Sequence, residues 1–143
     1  MKLEAAIKKG YSVLKKNNIE SPLLDSEILI SKAINRDRKF LLLNPKQEII
    51  KKNYLYYKRL IDERSKGKPI AYLTGKKAFW NDEFEINQSV LIPRPDTEII
   101  IEQVLEIFKN KNKIKFLEIG VGSGCIMLSI LKEKKNFLGS GID

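Results

Sequence analysis

The first half of the chain carries apolar residues at helical spacing. The first apolar stripe lies at the start of the chain and consists of Leu3, Ile7, Tyr11 and Leu14. The second lies near residues 50–61 and consists of Ile50, Tyr54, Tyr57 and Ile61. Each stripe predicts an amphipathic helix. Between them, Ser21 supplies a capping hydroxyl ahead of Pro22, which predicts the start of another helix, and residues 38–43 predict a short one. The pattern therefore predicts a small helical bundle over residues 1–75.

The apolar pattern changes after the bundle. Two short aromatic-rich runs, 79–80 and 84–86, flank a polar turn and together predict a hairpin. Residues 90–92 predict a third strand. We expect residues 76–93 to form a β-hairpin linker between two domains.

From residue 94 onward the pattern predicts a helix, a buried strand, a second helix and a second strand. The first helix begins at Pro95 or Asp96. Its expected apolar face consists of Ile99, Ile100, Gln103, Val104 and Ile107. The strand, helix and strand that follow cover residues 114–119, 123–132 and 137–142.

A strand, a glycine turn, a helix and a parallel strand form the first unit of a doubly wound sheet. The predicted fold class is therefore α/β: a small N-terminal α-helical bundle, a β-hairpin linker, and the start of a Rossmann-like domain in residues 94–143. Because a sheet usually has about five or six strands, we expect the sequence to be the front part of a longer protein.

The turn "EIGVGSGC" predicts a binding loop with glycine at Gly120, Gly122 and Gly124. The dinucleotide fingerprint requires glycine where Cys125 stands, which disfavours a nicotinamide cofactor. A triphosphate loop requires a lysine, and none lies within residues 116–131. Two interpretations stay open: a site for S-adenosylmethionine, and a turn without a ligand.

Two carboxylates favour S-adenosylmethionine. Asp143 follows Gly120 by 23 residues and ends the second strand, where an acidic side chain can accept both ribose hydroxyls. Glu118 precedes the first glycine and is placed to face the ammonium group of the cofactor. Glycines without a Cβ allow the backbone to approach the methionyl end and the sugar closely.

Composition and charge limit the cellular environment and the kinds of site that the chain can have. The chain has one cysteine and no histidine, which excludes an intramolecular disulfide and the usual zinc sites and fits a reducing, cytoplasmic environment. No signal peptide or membrane span is predicted. The net charge of +9 comes mostly from lysine, which favours solvated helix faces; the alternative is contact with an anionic assembly such as ribosomal RNA.

A resemblance adds to these inferences. The segment "PIAYLTGKKAFWNDEFEINQSVLIPRPDTE" at residues 69–98, followed by "FLEIGVGSGCIMLSIL" and by Asp143, resembles the amino-terminal portion of the peptide chain release factor glutamine methyltransferases, the PrmC/HemK family. The resemblance implies methyl transfer from S-adenosylmethionine to the glutamine side-chain amide nitrogen in the Gly-Gly-Gln motif of release factors. It also implies that residues 1–75 recognise the substrate.

The resemblance assigns roles to particular residues. The implied cofactor loop is Gly120, Val121, Gly122, Ser123 and Gly124, with Asp143 as the ribose acid. The implied pocket lining is Pro93, Arg94, Pro95 and Thr97. A structural alternative is that the prolines only fix the linker and that Arg94 pairs with Glu98.

The catalytic Asn-Pro-Pro-Tyr motif of this family is missing from the sequence. The Asn44-Pro45 pair lies upstream of the glycine turn and is interpreted as a cap. We therefore assign no catalytic residue to this chain and expect residues 1–143 alone to be inactive. Two alternatives remain: a nucleic-acid methyltransferase of the same fold, acting on rRNA, tRNA or DNA, and a non-catalytic module that binds a release factor or RNA through lysines of the first and fourth helices.

Overall fold

The computed structural model describes all 143 residues, and the chain divides into two compact units, Met1–Thr74 and Gly75–Asp143. The first unit is helical. Its helices are α1 Leu3–Lys16, α2 Pro22–Ile34, α3 Arg38–Leu43, α4 Lys51–Ser65 and α5 Ile70–Thr74. The first four match the predicted helices, and α5 was not predicted because its five residues are too few to show a period.

The core of the helical unit lies among α1, α2 and α4, which pack on one another. Its fully or nearly fully buried side chains are Leu3, Ala6, Leu14, Leu29, Ile30, Ala33, Leu41, Ile49, Tyr57, Leu60, Ile61 and Leu73. One charged pair is enclosed with them: the Arg64 guanidinium donates to the Asp25 carboxylate at 2.7 Å, and both side chains are largely buried. Removing either partner would leave a buried charge uncompensated.

A close approach between α1 and α4 depends on Gly10. The Tyr57 hydroxyl lies 2.7 Å from Ser26 Oγ and donates to the Ala6 carbonyl at 3.3 Å. A Cβ at Gly10 would lie 1.9 Å from that hydroxyl. Burial raises the pKa of Tyr57 to about 12, so the ring stays neutral in this network.

One expected detail of α2 is wrong. Ser21 precedes the helix but its side chain makes no capping hydrogen bond. The side chain that does cap a helix of this unit is Asp37, which accepts from the Phe40 amide at 2.8 Å at the start of α3.

The second unit opens with a hairpin, as predicted, but Trp80 lies in its turn and Asp82 and Glu83 lie in its second strand. Strands β1 Lys76–Phe79 and β2 Asp82–Glu85 pair antiparallel around a two-residue turn. Trp80 holds the first turn position at a φ of 55°, and its amide donates to Glu98 at 2.7 Å while its indole donates to Glu133 at 2.8 Å. The third strand expected at residues 90–92 is wrong, since none of these residues belongs to a strand.

The remaining elements follow the predicted order. They are a 3₁₀ turn at Pro95–Thr97, α6 Glu98–Ile107, β3 Lys115–Ile119, α7 Cys125–Glu133 and β4 Leu138–Ile142. Strands β3 and β4 are parallel and adjacent, with Ile119 opposite Ile142 at their carboxyl ends. The predicted α/β fold class is confirmed: a helical N-terminal unit precedes a unit in which two parallel strands are joined by a helix.

The apolar face predicted for α6 is correct at Val104, which packs in the core of this unit, and wrong at its other four positions. Ile101 is completely buried, whereas Ile99, Ile100 and Ile107 are exposed. The isoleucine run left the helix phase ambiguous. The buried face runs through Ile101, Val104, Leu105 and Phe108, which pack with Phe79, Cys125, Ile130 and Phe137.

The small sheet is covered on one face. Glu118 of β3 reaches the first turn of α7, and Met127 of α7 lies against Gly139 of β4. On the opposite face, Leu117, Ile119, Leu138 and Ile142 are exposed. No helix of the structure combines the length and the hydropathy needed to cross a bilayer.

Replacing Gly10 by alanine tests the close approach. Helix propensity alone favours alanine by about 1 kcal/mol, but the clash with Tyr57 is an overpacking defect worth about 1–3 kcal/mol or more. We expect a net loss of stability, measured by urea unfolding followed by circular dichroism. The exposed neighbour change Lys9→Ala is the control and should leave stability nearly unchanged; a stabilised Gly10→Ala variant would contradict the packing described.

Candidate functional site

The turn after β3 is built on left-handed backbone. Gly120, Gly122 and Gly124 have φ values of 78°, 53° and 74°. The Gly120 amide donates to the Ile142 carbonyl at 2.8 Å, and the Gly124 amide donates to the Val121 carbonyl at 2.8 Å. The first bond connects the turn to the end of β4, and the second closes the turn directly before α7 begins.

Open space faces two of the three glycines. A Cβ placed on Gly120 or on Gly122 would meet no atom within 4 Å, whereas one on Gly124 would lie 3.3 Å from Leu128. Gly124 is thus constrained both by its φ and by α7. Gly120 and Gly122 leave a bare backbone surface that a ligand can approach, and this fits the S-adenosylmethionine expected from the sequence.

The structure brings the predicted acid to the predicted glycines. Asp143 Oδ1 accepts from the Gly122 amide at 3.3 Å. The Val121 side chain lies over Gly141 of β4, where a Cβ would be only 2.3 Å from Val121 Cγ2. Ser123 follows in the same turn and is partly buried.

Glu118 has a structural partner that the sequence did not indicate. Its Oε2 accepts from the Met127 amide at 3.1 Å, in the first turn of α7, whose cap residue Gly124 has no side chain to do so. Burial raises the pKa of the Glu118 carboxyl, and the Met127 bond opposes that rise only in part. Its expected role toward a ligand ammonium stays a prediction.

Cys125 begins α7 and packs in the core of this unit. Burial raises the pKa of the thiol, with a smaller opposing effect from the hydrogen bond with Ser123. A thiol held neutral in this way is a packing residue and not an activated nucleophile.

The proline-rich segment, residues 93–97, makes no hydrogen bond with the glycine turn. Pro93 is buried, Thr97 is partly buried, and Arg94 and Pro95 are exposed. No hydrogen bond or ion pair joins these residues to the glycine turn, and Arg94 does not pair with Glu98, whose carboxylate accepts from Trp80. That these residues line a pocket stays a prediction.

Three groups that shape the turn were missed in the sequence. They are the Ile142 carbonyl, the Met127 amide and Gly141. The first two are backbone groups that leave no trace in residue type. Gly141 carried a signal, since a glycine inside a strand marks a close approach. The structure contains no group of three or more cysteine, aspartate or glutamate side chains arranged to hold a metal ion.

The fold and the turn define a class of protein: a helical N-terminal domain followed by the start of a methyltransferase domain. Residues 5–75 match the family described as PrmC N-terminal domain. The chain is 43% identical over 136 residues to the release factor glutamine methyltransferase of Clostridium acetobutylicum, a match that covers 95% of this chain and 48% of that protein. Proteins of the same name from Clostridium botulinum and Leptospira interrogans are each 42% identical over 91% and 92% of this chain, and the match covers 46% of each.

Residues 5–75 therefore match the PrmC N-terminal domain family, and nearly all of the chain is similar to part of proteins named release factor glutamine methyltransferase. The family resemblance is confirmed. The chain spans about half the length of the curated relatives it matches.

The partly buried carboxyl of Glu118 predicts a pH dependence of stability. Its pKa is raised in the folded state, so the folded chain binds the proton more tightly than the unfolded chain. Stability should therefore fall as the pH rises from the usual 4.5 through the folded-state pKa. Glu118→Gln keeps an acceptor for the Met127 amide and should remove this fall.

Urea unfolding between acid and neutral pH measures the effect, and the single tryptophan, Trp80, reports on this unit by its fluorescence. Glu102→Gln removes an exposed carboxylate of α6 and serves as the control. Parallel stability profiles for the wild type and Glu118→Gln would contradict the assignment.

Proposed function

We propose that the complete protein is an S-adenosylmethionine-dependent methyltransferase that methylates the glutamine side-chain amide nitrogen in the Gly-Gly-Gln motif of peptide chain release factors. This activity belongs in the cytoplasm, where translation ends. The observation that carries the proposal is the meeting of Asp143 with the exposed backbone at Gly122. The names of the relatives supply the substrate.

The residues of the turn would divide the work of holding the cofactor. Gly120, Val121, Gly122, Ser123 and Gly124 would form the loop. Asp143 would accept the ribose hydroxyls, since one carboxylate oxygen stays free of the Gly122 amide and carboxylates accept only. Glu118 would hold the loop through α7 and face the methionyl ammonium. When bound, the cofactor supplies an electrophilic methyl group on sulfur.

An amide nitrogen is a poor nucleophile because its lone pair is delocalised into the carbonyl group. The reaction therefore needs acceptors for the amide hydrogens that orient the nitrogen and stabilise the developing charge. The family's Asn-Pro-Pro-Tyr would supply them, and it is missing from residues 1–143. We propose no catalytic residue in this chain.

The other regions of the chain would serve the substrate. Residues 1–75 would be the recognition domain, residues 76–93 the hairpin linker, and residues 94–143 the first part of the catalytic domain. Pro93, Arg94, Pro95 and Thr97 would line the pocket, with Thr97 nearest the cofactor. A nucleic-acid methyltransferase of the same fold is the second candidate, favoured by the net charge of +9.

A parallel assay decides between the two candidates. The complete protein is incubated with S-adenosylmethionine and either a release factor or RNA, and the products are analysed by mass spectrometry. We expect one added methyl group on the Gly-Gly-Gln peptide and none when its glutamine is replaced by glutamate. Residues 1–143 alone should methylate neither substrate. Methylated RNA with an unmodified release factor would overturn the proposal.

Gly122→Ala tests the loop in the complete protein. A left-handed alanine costs about 1–2 kcal/mol, and the new methyl group enters the open space assigned to the cofactor. We expect the methylation rate at limiting S-adenosylmethionine to fall at least about tenfold. Gly67→Ala is a matched control in the helical unit, because Gly67 also has a positive φ, 92°, and open space around its Cβ position. Equal losses in both variants would show that strain alone is responsible and contradict the assignment.

A further inference from the structure

The excess positive charge of the chain lies entirely in the helical unit. Residues 1–74 hold 17 of the 27 basic residues and 8 of the 18 acidic ones, a net charge of +9, while residues 75–143 hold 10 of each and are neutral. The partition gives the helical unit a positive surface, which attracts acidic molecules.

A groove with a volume of about 570 Å³ opens between α1 and α4. It is lined by Lys8, Lys9, Gly10, Ser12, Val13, Tyr54, Tyr57, Lys58, Ile61 and Asp62, and we call it the α1–α4 groove. Its floor is apolar: Tyr57 and Ile61 are buried, Tyr54 is partly buried, and Val13 is exposed. The volume lies within the range of pockets that enclose ligands, about 300–1,000 Å³.

The rim of the α1–α4 groove is basic. Lys8, Lys9 and Lys58 are exposed and form no ion pair in the structure. The single acid on the rim, Asp62, is already paired with Lys66 at 2.6 Å. Three uncompensated ammonium groups therefore surround an apolar floor.

We propose that the α1–α4 groove binds an acidic amphipathic segment of a protein partner. An apolar side chain of the segment rests on Val13 and Tyr54, and its carboxylates face Lys8, Lys9 and Lys58. Grooves between helices take amphipathic segments in this way, with apolar anchors giving affinity and complementary charge giving orientation and rate.

The lining favours a protein over RNA as the occupant. RNA recognition uses exposed aromatic faces for base stacking and arginine for bidentate contacts with phosphate. Of the two tyrosines in the lining, Tyr57 has no exposed ring face and its hydroxyl is bonded internally to Ser26, which leaves only the partly exposed Tyr54 for stacking. None of the five arginines of the chain lines the groove.

The identity of the partner rests on the proposed function, under which the segment belongs to the release factor at a distance from its Gly-Gly-Gln motif. The binding chemistry of the groove does not rest on it. Binding and methyl transfer are therefore tested separately.

The binding test uses fluorescence anisotropy with the 143-residue chain and a dye-labelled amphipathic peptide of about five helical turns, with leucine on one face and glutamate beside it. The matched probes are the same peptide with lysine in place of every glutamate, and a single-stranded RNA. The rim variant is Lys9→Glu with Lys58→Glu, and the floor variant is Val13→Asp. Lys39→Glu with Lys46→Glu makes the same charge change outside the groove.

The acidic peptide should bind the wild type and the control variant with similar affinity. The rim and floor variants should each weaken its binding by about tenfold or more, and the lysine peptide should not bind. Equal weakening by the control variant, equal binding of both peptides, or tighter binding of RNA than of the acidic peptide would overturn the proposal.

The transfer test uses the complete protein and the rim variant. The variant should raise the KM for the intact release factor about tenfold at an unchanged kcat. It should not affect a short Gly-Gly-Gln peptide, which lacks the docking segment. Unchanged kinetics with the release factor would overturn the groove as its docking site; absence of methylation by the wild type would overturn the proposed function and leave the peptide result standing.

Discussion

Three left-handed backbone positions within five residues determine the arrangement of the candidate site. An L-residue with a side chain is strained at the φ values of Gly120, Gly122 and Gly124, so the turn that joins β3 to α7 requires glycine at each of them. This turn places the Gly122 amide within hydrogen-bond distance of Asp143. It also places the first turn of α7 so that the Met127 amide donates to Glu118. Every inference about a cofactor depends on this geometry.

Much of this organisation could be predicted from the sequence, and the failures have physical causes. Long amphipathic helices such as α1 and α4 were predicted because many of their apolar residues repeat at the helical period. The buried face of α6 was not predicted correctly, because the three consecutive isoleucines are compatible with several orientations of the helix. Only tertiary packing determines that Ile101 is the buried one. The strand expected at residues 90–92 did not form although its residue types favour strands, because residue type alone does not fix the backbone conformation.

The candidate site shows the same division. The glycine spacing and the acid at position 143 could be predicted from the sequence, because both features depend on side-chain identity. The cap that Glu118 gives to Met127 was not visible, because its partner is a backbone amide. The partition of charge between the two units became apparent only once the structure had set their boundary at residue 74. It separates a neutral unit that carries the glycine turn from a basic unit that carries the α1–α4 groove.

The most direct measurement of the central claim is calorimetric titration of the complete protein with S-adenosylmethionine. We predict one site per chain for the wild type and for Glu102→Ala, which removes an exposed acid of the same unit. For Asp143→Ala we predict an affinity lower by at least about tenfold. No heat of binding with the wild type, or an unchanged affinity in Asp143→Ala, would contradict the claim that the glycine turn and Asp143 form the cofactor site.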